Sequence, residues 1–344
     1  MTHEFKKIIK SFQKAIESRL QCVIATVVAL EGSSYRKPGV RMLIIENGTM
    51  IGAVSGGCVE KEILKQSFSV FKTGTPKVMT YDGRYRLGCE GTLYILLELF
   101  NPEPSFIDAF NSSLDQHKSF TVNSYFSKKI DADKNYGSTI LFDDSLEFTF
   151  NQFVNKSENP SNNLFNQTLK PCFRLVIIGA EHDAVELCIF ASSLGWDVII
   201  ITSPTDPKSI EDFPGAHKIL HEAPGLFDNS IIKEQTAIVL MTHNYAKDFQ
   251  YLMAMKEIIP DYIGVLGSVK RRETLLNDYM EHNPLVDDLF IEKIHSPAGL
   301  NIGAITPQEI ALSICAEILA VTRGANPTSL KNVQQGIHTD NYLS

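Results

Sequence analysis

The sequence predicts a two-domain α/β protein, and three observations lead to this prediction. In the first hundred residues, apolar strand patterns alternate with glycine-rich turns and helical patterns. A stretch rich in turn-forming residues, 155–163, then separates the two halves of the chain. In the second half, apolar strands alternate regularly with helices, which is typical of a parallel sheet covered by helices. We therefore expect a mixed α/β domain at 1–154, a doubly wound parallel-sheet domain at 171–325 and a polar tail at 326–344.

Composition and charge exclude several classes of protein. The net charge of −8 argues against general nucleic-acid binding, although residues 1–100 carry a net charge of +5, which suits a small anionic ligand. No apolar run approaches the roughly 18 residues that a membrane helix needs, and residues 1–14 lack the apolar core of a signal peptide. Six cysteines without CxxC spacing indicate neither a disulfide framework nor a zinc site. A cytoplasmic protein without nucleic-acid or membrane partners is expected.

The first domain is predicted to contain three helices and eight strands. Residues 3–19 form the first helix because Phe5, Ile8 and Phe12 recur at helical spacing. The Asn47-Gly48 pair predicts a hairpin turn between two strands. The remaining helices are expected at 60–71 and 105–116, and the strands at 22–30, 40–46, 49–54, 78–81, 93–99, 120–126, 138–142 and 147–150.

The second domain is predicted to be Rossmann-like, because buried strands and helices alternate along its whole length. Thr306-Pro307-Gln308-Glu309 indicates the start of the last helix, as a capping box with proline at the first helical position. The strands are expected at 175–178, 197–201, 237–241 and 262–266, and the helices at 181–194, 244–258, 269–281 and 307–323.

A turn that contains Ser55, Gly56, Gly57 and Cys58 connects an apolar strand to a helix. Glycines let the backbone approach a ligand closely, and the N–H groups at a helix start attract anions. The same field favours the thiolate of Cys58 over its thiol. The alternatives are a structural cysteine and a plain connecting turn. We predict a functional site here, which includes Glu60.

A second cysteine turn, Leu87-Gly88-Cys89-Glu90-Gly91, lies between two further strands. Two glycine-flanked cysteines in one small domain suggest a single site to which both turns contribute. Arg36 and Arg41 lie in or beside the turns of this basic domain, so we expect them to contact an anionic ligand. The alternative is that both arginines are solvated surface charges.

The first βα turn of the second domain differs from a dinucleotide-binding turn. Such a turn has glycine at three fixed positions, and an acid follows at the end of the second strand. Only Gly179 matches fully, since Glu181, Ala184 and Thr202 hold the other positions. A carboxylate about 5 Å from a pyrophosphate charge costs roughly 3 kcal/mol at an effective dielectric near 20. NAD and NADP are therefore expected to bind no tighter than about millimolar.

With both halves considered, the chain resembles the XdhC/CoxI family, the accessory factors of xanthine dehydrogenase and related molybdenum hydroxylases. The resemblance extends over nearly the whole chain and is far more specific than one glycine motif. The motifs that carry it are Gly32-Ser33-Ser34-Tyr35-Arg36-Lys37-Pro38-Gly39, Ser55-Gly56-Gly57-Cys58-Val59-Glu60, Leu87-Gly88-Cys89-Glu90-Gly91, Met241-Thr242-His243-Asn244, Gly264-Val265-Leu266-Gly267-Ser268, Lys270-Arg271-Arg272, His295-Ser296-Pro297-Ala298-Gly299-Leu300 and Ile302-Gly303-Ala304.

The resemblance implies a chaperone for the molybdenum cofactor (molybdopterin). Such a protein binds the cofactor transiently, protects it while an oxo ligand is exchanged for sulfur, and delivers it to an apo-hydroxylase of the xanthine dehydrogenase type. It implies a cysteine desulfurase-type sulfur donor as a second partner, and it leaves a homodimer open. Cys58 is then the first choice for a transient molybdenum ligand and Cys89 the second. Gly179, His182, His243 and Arg271 are the candidates for contacts from the second domain.

Two other functions stay open on the residues alone. The Rossmann-like pattern is compatible with an NAD(P)-dependent oxidoreductase. Cys58 as nucleophile and His243 as base would make a thiol enzyme. No catalytic triad, carboxylate pair or metal-hydrolase motif is visible, so a cofactor-binding maturation factor without catalytic activity of its own is the preferred interpretation.

Overall fold

The computed structural model describes residues 1–32, 37–54, 57–82, 91–143, 145–151, 163–255 and 258–332, and of Cys58 it describes the backbone alone. The chain divides into two compact units, unit 1 (Met1–Pro171) and unit 2 (Cys172–Ser344). Unit 1 is a mixed α/β structure with antiparallel sheets, and unit 2 has a parallel sheet covered by helices. The predicted fold class is confirmed.

The described part of unit 1 contains helices α1 to α3 and strands β1 to β9. The helices are α1 (Thr2–Glu17), α2 (Cys58–Thr73) and α3 (Ser105–Asp115). The strands are β1 (Cys22–Glu31), β2 (Arg41–Ile45), β3 (Met50–Ile51), β4 (Lys77–Asp82), β5 (Thr92–Leu99), β6 (Phe120–Phe126), β7 (Gly137–Phe142), β8 (Leu146–Thr149) and β9 (Asn163–Leu169).

Two antiparallel sheets form unit 1, a five-stranded sheet in the order β3-β2-β1-β5-β4 and a four-stranded sheet in the order β8-β7-β6-β9. Side chains alternate across β1, so Val23 and Ala25 share a core with Val59 and Ile63 of α2. Ile24 faces the other way and joins a core that includes α1 and α3. The first sheet is therefore covered on both faces, which fixes the start of α2 against a buried strand.

Helix α1 has the amphipathic pattern that the sequence predicts. Phe5, Ile8, Ile9 and Phe12 are buried on one face, while the lysines between them are exposed. Full burial of each such side chain contributes about 1.5–3 kcal/mol. The Phe5 ring also packs edge-on against Phe110 at 5.7 Å between ring centroids, which joins α1 to α3.

Two strands of unit 1 differ from the prediction. The strand expected at 49–54 extends only over Met50–Ile51, because the chain turns away from β2 at Gly52, where φ is +85°. Strand β9 lies between the two predicted domains, where the sequence predicts a linker and not a strand. It pairs with β6 from Phe120↔Leu169 to Phe126↔Asn163, and its sequence of asparagine, glutamine and threonine between few apolar residues conceals this role.

The described part of unit 2 contains strands β10 to β15 and helices α4 to α8. The strands are β10 (Arg174–Ile178), β11 (Asp197–Thr202), β12 (Lys218–His221), β13 (Thr236–Leu240), β14 (Tyr262–Val265) and β15 (Ile294–His295). The helices are α4 (His182–Ser193), α5 (Tyr245–Ala254), α6 (Val269–His282), α7 (Asp288–Glu292) and α8 (Pro307–Thr322).

All six strands of unit 2 are parallel, in the order β12-β11-β10-β13-β14-β15. Helices α4 and α8 cover one face of the sheet and α5 and α6 cover the other, and each face has its own apolar core. This is the doubly wound Rossmann arrangement, in which the strand order reverses between the first strand, β10, and the fourth, β13. Ligands of such folds bind outside the carboxyl ends of the strands at that point.

Local sequence signals predict the start of the last helix in unit 2 but not its two edge strands. The capping box at the start of α8 is confirmed, since Glu309 Oε2 accepts a hydrogen bond from the Thr306 N–H at 2.9 Å and Thr306 Oγ1 accepts one from the Glu309 N–H. The edge strands β12 and β15 were not predicted, because four and two residues are too short for a periodic pattern.

Candidate functional site

The turn before α2 is held by the side chain of Glu60. Its Oε2 accepts a hydrogen bond from the Gly57 N–H at 2.8 Å, and its Oε1 accepts one from the Val54 N–H at 3.0 Å. Glu60 is 7% exposed, so both bonds are shielded from water. The carboxylate therefore ties Val54, three residues after the end of β3, to the first turn of the helix.

This tie places the backbone of Cys58 at the first position of a helix of 16 residues. The first N–H groups of an α-helix lack partners within the helix, and the helix dipole puts partial positive charge there. A Cβ built on Gly57 would meet no atom of the described residues within 4 Å. The start of α2 at Cys58 is therefore a position where the helix would stabilise a bound anion or a thiolate.

Five of the predicted site residues lie outside the described residues, namely Arg36, Ser55, Gly56, Gly88 and Cys89. The predicted convergence of the two cysteine turns falls on these positions and stays a prediction. Strands β4 and β5 flank the second turn in the sequence, and they pair antiparallel from Lys77↔Leu97 to Asp82↔Thr92.

Arg41 occupies the interior of unit 1. Its Nη1 donates hydrogen bonds to the Gly39 carbonyl at 3.0 Å and to Gln167 Oε1 at 2.5 Å, while Nε and Nη2 have no partner in the described part of the chain. Burial lowers the pKa of Arg41 to about 10, against the opposing effect of Glu98. Because Met42, the next residue, packs in the core with α2, Arg41 lies on the opposite face of the sheet from α2. The structure therefore does not bring Arg41 to the Cys58 turn.

In unit 2, the predicted residues gather at the point where the strand order reverses. Gly179 follows β10, and a Cβ there would lie 2.4 Å from the Met241 carbonyl oxygen, so only glycine allows these two strand ends to approach each other. His243 Nε2 lies 3.4 Å from Asp183 Oδ2 across this point. His182 is exposed, with Nε2 3.8 Å from Glu186 Oε1 on the next turn of α4.

A buried network lies beside His243, at the preceding residue Thr242. Asp248 is 1% exposed and accepts hydrogen bonds from the Thr242 hydroxyl at 2.7 Å and from Arg271 Nη2 at 2.5 Å. Burial raises the pKa of Asp248, against the opposing effects of Thr242 and Arg271. His243 itself has φ of +53°, a conformation that residues other than glycine seldom adopt. Arg271 is therefore a structural partner of Asp248 and not a free cation.

The motif after β15 builds a second polar cluster that the sequence did not assign. Glu317 of α8 accepts hydrogen bonds from the Tyr262 hydroxyl at 2.5 Å and from the Gly299 N–H at 2.8 Å. His295 stacks on the Tyr262 ring at 4.5 Å, with Nδ1 3.7 Å from Glu317 Oε1. These contacts tie the loop after β15 to α8.

Sequence reasoning also missed a cavity at the carboxyl ends of β10 to β13. Its volume is about 460 Å³, and it is lined by the Gly179–Glu181 turn, the loops after β11 and β12, and one side of α5. Thr202, which holds the position of the usual ribose-binding acid, is 1% exposed and bonded through Oγ1 to His221 Nδ1 at 2.7 Å. Acidic side chains line the cavity from other positions, which only the folded loops bring together.

Two further properties of the described residues concern metal binding and membrane spans. No group of three or more histidine, cysteine, aspartate or glutamate side chains there is placed to hold a metal ion. Across the same part of the chain, every helix falls short of the length and apolar character that crossing a membrane requires.

The fold and the turns define a class of protein with two units. The first is an α/β unit with a cysteine at a helix start, and the second is a Rossmann unit. Two family models match the chain, one described as the XdhC and CoxI family over residues 15–82 and one as the XdhC Rossmann domain over residues 175–318. The chain therefore belongs to the XdhC and CoxI family.

Similar proteins cover almost the full length of the chain. A protein of Bacillus subtilis (strain 168) described as a probable subunit of xanthine dehydrogenase is 29% identical in an alignment of 328 residues, and the match covers 88% of this chain and 94% of that protein. The molybdenum cofactor insertion chaperone PaoD from Escherichia coli (strain K12) is 23% identical and covers 93% of this chain and 90% of its own length. A crystal structure described as a xanthine dehydrogenase from Bacillus halodurans superposes with a TM-score of 0.73 at 27% identity, covering 95% of this chain and 98% of that one.

Proposed function

We propose that this chain is a chaperone that binds the molybdenum cofactor as its cargo and delivers it to an apo-hydroxylase of the xanthine dehydrogenase type. The observation that carries the proposal is the start of α2 at Cys58, fixed by the two hydrogen bonds that Glu60 accepts. The similarity to a molybdenum cofactor insertion chaperone and to a probable xanthine dehydrogenase component supports this choice of cargo and partner.

The chemistry of the cargo suits this turn. Molybdopterin carries a phosphate, which the N–H groups at a helix start attract. Its metal is held by dithiolene sulfurs, and a cysteine thiolate is a ligand of the same soft type. We propose Cys58 as the transient molybdenum ligand, with Ser55, Gly56 and Gly57 as the phosphate cradle.

Other residues have supporting roles in the proposal. Cys89 with Gly88, and Arg36 from the preceding loop, contribute further contacts to the cofactor. His182 and His243 are proposed as contacts from unit 2, where Asp183 orients the His243 ring. Glu60 acts through the backbone of the turn, because its two carboxylate oxygens already accept N–H groups. Sulfuration of the bound cofactor by a cysteine desulfurase-type donor, and a homodimer, belong to the same proposal.

An anaerobic titration of the purified chain with molybdenum cofactor tests this function. The retained cofactor is measured as its fluorescent oxidation product after gel filtration, and its delivery as the activity that an apo-hydroxylase gains. Cys58→Ser should fold normally and retain cofactor at least about tenfold more weakly, which corresponds to about 1.4 kcal/mol for the lost ligand. Cys172→Ser is the matched control, because Cys172 is a partly exposed thiol of unit 2. Equal retention and delivery by Cys58→Ser would refute the role of this cysteine.

A second experiment, calorimetry with NAD and NADP, separates the proposal from an NAD(P)-dependent oxidoreductase. Glu181 lies at the turn where a pyrophosphate would bind, and the ordinary ribose-binding position holds a buried threonine. Calorimetry should therefore show NAD and NADP binding no tighter than about millimolar. Micromolar binding of either cofactor would favour the oxidoreductase.

A further inference from the structure

The cavity of unit 2 has the size and position of a small-molecule site. Its volume of about 460 Å³ falls within the range of about 300–1,000 Å³ that is usual for ligand pockets. It opens at the carboxyl ends of the strands beside the reversal of strand order, where ligands of doubly wound folds bind. The Cys58 turn belongs to unit 1, so the function of this cavity can be argued and tested independently of the proposed function.

One part of the cavity lining is apolar, and polar and charged side chains make up the rest. Ile178 and Ile201, at the ends of the two neighbouring strands β10 and β11, belong to the apolar part. Ala180, Ala223 and Pro224 add short apolar groups to it. Apolar side chains of this kind bind the faces of a flat, uncharged ring, because burial removes apolar surface from water.

The charged groups of the cavity have an excess of negative charge. Three carboxylates line it, those of Glu181, Asp206 and Glu222, against the single ammonium group of Lys247. Asp206 is partly neutralised by Lys208, with the Lys208 Nζ 3.1 Å from its Oδ2, and Glu222 Oε2 accepts the Asp228 N–H at 3.0 Å. Carboxylates with spare acceptor capacity bind hydroxyl pairs such as those of a ribose.

Glu181 occupies the position that decides whether phosphate is accepted. It is the residue before α4, and its side chain makes no capping hydrogen bond to that helix. A 5′-phosphate attached to a nucleoside in this cavity would lie near the same helix start, as phosphates do in doubly wound folds. Because Glu181 is exposed, screening weakens the repulsion, and we expect about a tenfold loss of affinity for each added phosphate.

We propose that this cavity binds an uncharged nucleoside, with its base against the apolar side chains of Ile178 and Ile201 and its ribose hydroxyls on the carboxylates, and that Glu181 selects against the phosphorylated forms. The cavity is thus a nucleoside site in a Rossmann fold that does not favour phosphate. It goes beyond a chaperone for molybdenum cofactor, because a free nucleoside is not part of that cargo.

Isothermal calorimetry on the full chain with adenosine, cytidine and their 5′-mono- and diphosphates tests the proposal. At least one nucleoside should bind, and its monophosphate should bind about tenfold more weakly. Glu181→Gln should bring the nucleoside and its monophosphate to within about twofold of each other, since it removes the charge and keeps the shape. Glu186→Gln is the matched control, because Glu186 lies one turn further along α4 and does not line the cavity.

A second variant checks the location. Ala223→Trp places a large side chain in the cavity from one of the loops that line it. It should abolish nucleoside binding and leave the unfolding transition of unit 2 unchanged. The proposal is overturned if neither nucleoside binds at millimolar concentration, if the phosphates bind more tightly than the nucleosides, or if Glu181→Gln leaves their ratio unchanged. Retention of molybdenum cofactor by the same samples, with and without saturating nucleoside, reports on the proposed function separately.

Discussion

Removing the charge of Glu60 should loosen the turn before α2 without disturbing unit 2. In Glu60→Gln, one side-chain oxygen still accepts an N–H, but the other is replaced by an NH₂ group that faces a backbone N–H. The lost bond involves a charged acceptor, for which the net contribution is about 1.5–3 kcal/mol, so we expect a destabilisation of about 2 kcal/mol. For a unit of this size that corresponds to a fall in Tm of about 4–8 °C.

The chain offers a natural way to assign this loss to one unit. Its single tryptophan, Trp196, belongs to unit 2 and packs on Phe173 with 4.9 Å between ring centroids. Thermal unfolding followed by circular dichroism should show the loss, whereas the transition followed by Trp196 fluorescence should stay unchanged. Glu62→Gln is the control on the same helix, since the hydrogen bond that Glu62 accepts comes from the Gln66 side chain, one turn further along α2. A Glu60→Gln variant as stable as the Glu62→Gln control would refute the structural role of Glu60.

Three further results are expected. Arg271→Ala should destabilise unit 2 by about 3 kcal/mol in urea unfolding followed by Trp196 fluorescence, because it leaves the Asp248 carboxylate buried without its charged partner. This value is the low end of the range for a broken buried pair, since Arg271 is partly exposed. Burial raises the pKa of Glu98 to about 7, above its unfolded value, so unit 1 should lose up to about 3 kcal/mol of stability as the pH rises from about 4.5 through 7. Cys22, Cys188 and Cys315 should alkylate far more slowly than Cys58, because burial raises the pKa of each to about 12.

Each of these results has its own control. Arg272→Ala, at an exposed neighbouring position, should cost almost nothing, and a similar loss in both variants would contradict the role of the Asp248 pair. Glu98→Gln should remove the pH dependence of unit 1 between pH 5 and 8, because the amide cannot ionise. Persistence of that dependence in Glu98→Gln would assign it to another group. Alkylation of Cys188 as fast as that of Cys58 would contradict the ranking of the thiols.

The sequence predicted the elements that have long periodic patterns and failed where a strand is short or polar. Helix α1 follows directly from the spacing of Phe5, Ile8 and Phe12, and the four central strands β10, β11, β13 and β14 follow from their continuous apolar runs. Strand β9 could not be recognised, because its residues are held in the sheet by pairing with β6 and not by an apolar pattern of their own. One of them, Gln167, anchors the buried Arg41, a contact 126 residues apart in sequence.

Side-chain roles at the candidate site were harder to predict than its position. The sequence places Glu60 close to Cys58 and so predicts it as part of the site. Its hydrogen bonds from the N–H groups of Val54 and Gly57 show that it fixes the backbone of the turn. The signal was available, since glutamate at the third helical position is half of a capping box, but glycine takes the place of the usual serine or threonine. The pairing of Arg271 with Asp248 could not be predicted, because the two residues lie on different helices and spacing along the sequence does not reveal contacts between helices.

Protection of Cys58 by bound cofactor is the most direct evidence for or against a cofactor site at the turn before α2. The full chain is treated anaerobically with an alkylating reagent, with and without saturating molybdenum cofactor, and the modification rate of each cysteine is followed by mass spectrometry. We predict that Cys58 reacts fastest of the six thiols in the free chain and is protected when the cofactor is bound, while the partly exposed Cys172 reacts at the same rate in both states. An unchanged Cys58 rate at saturating cofactor would contradict the assignment of the cofactor to the turn before α2.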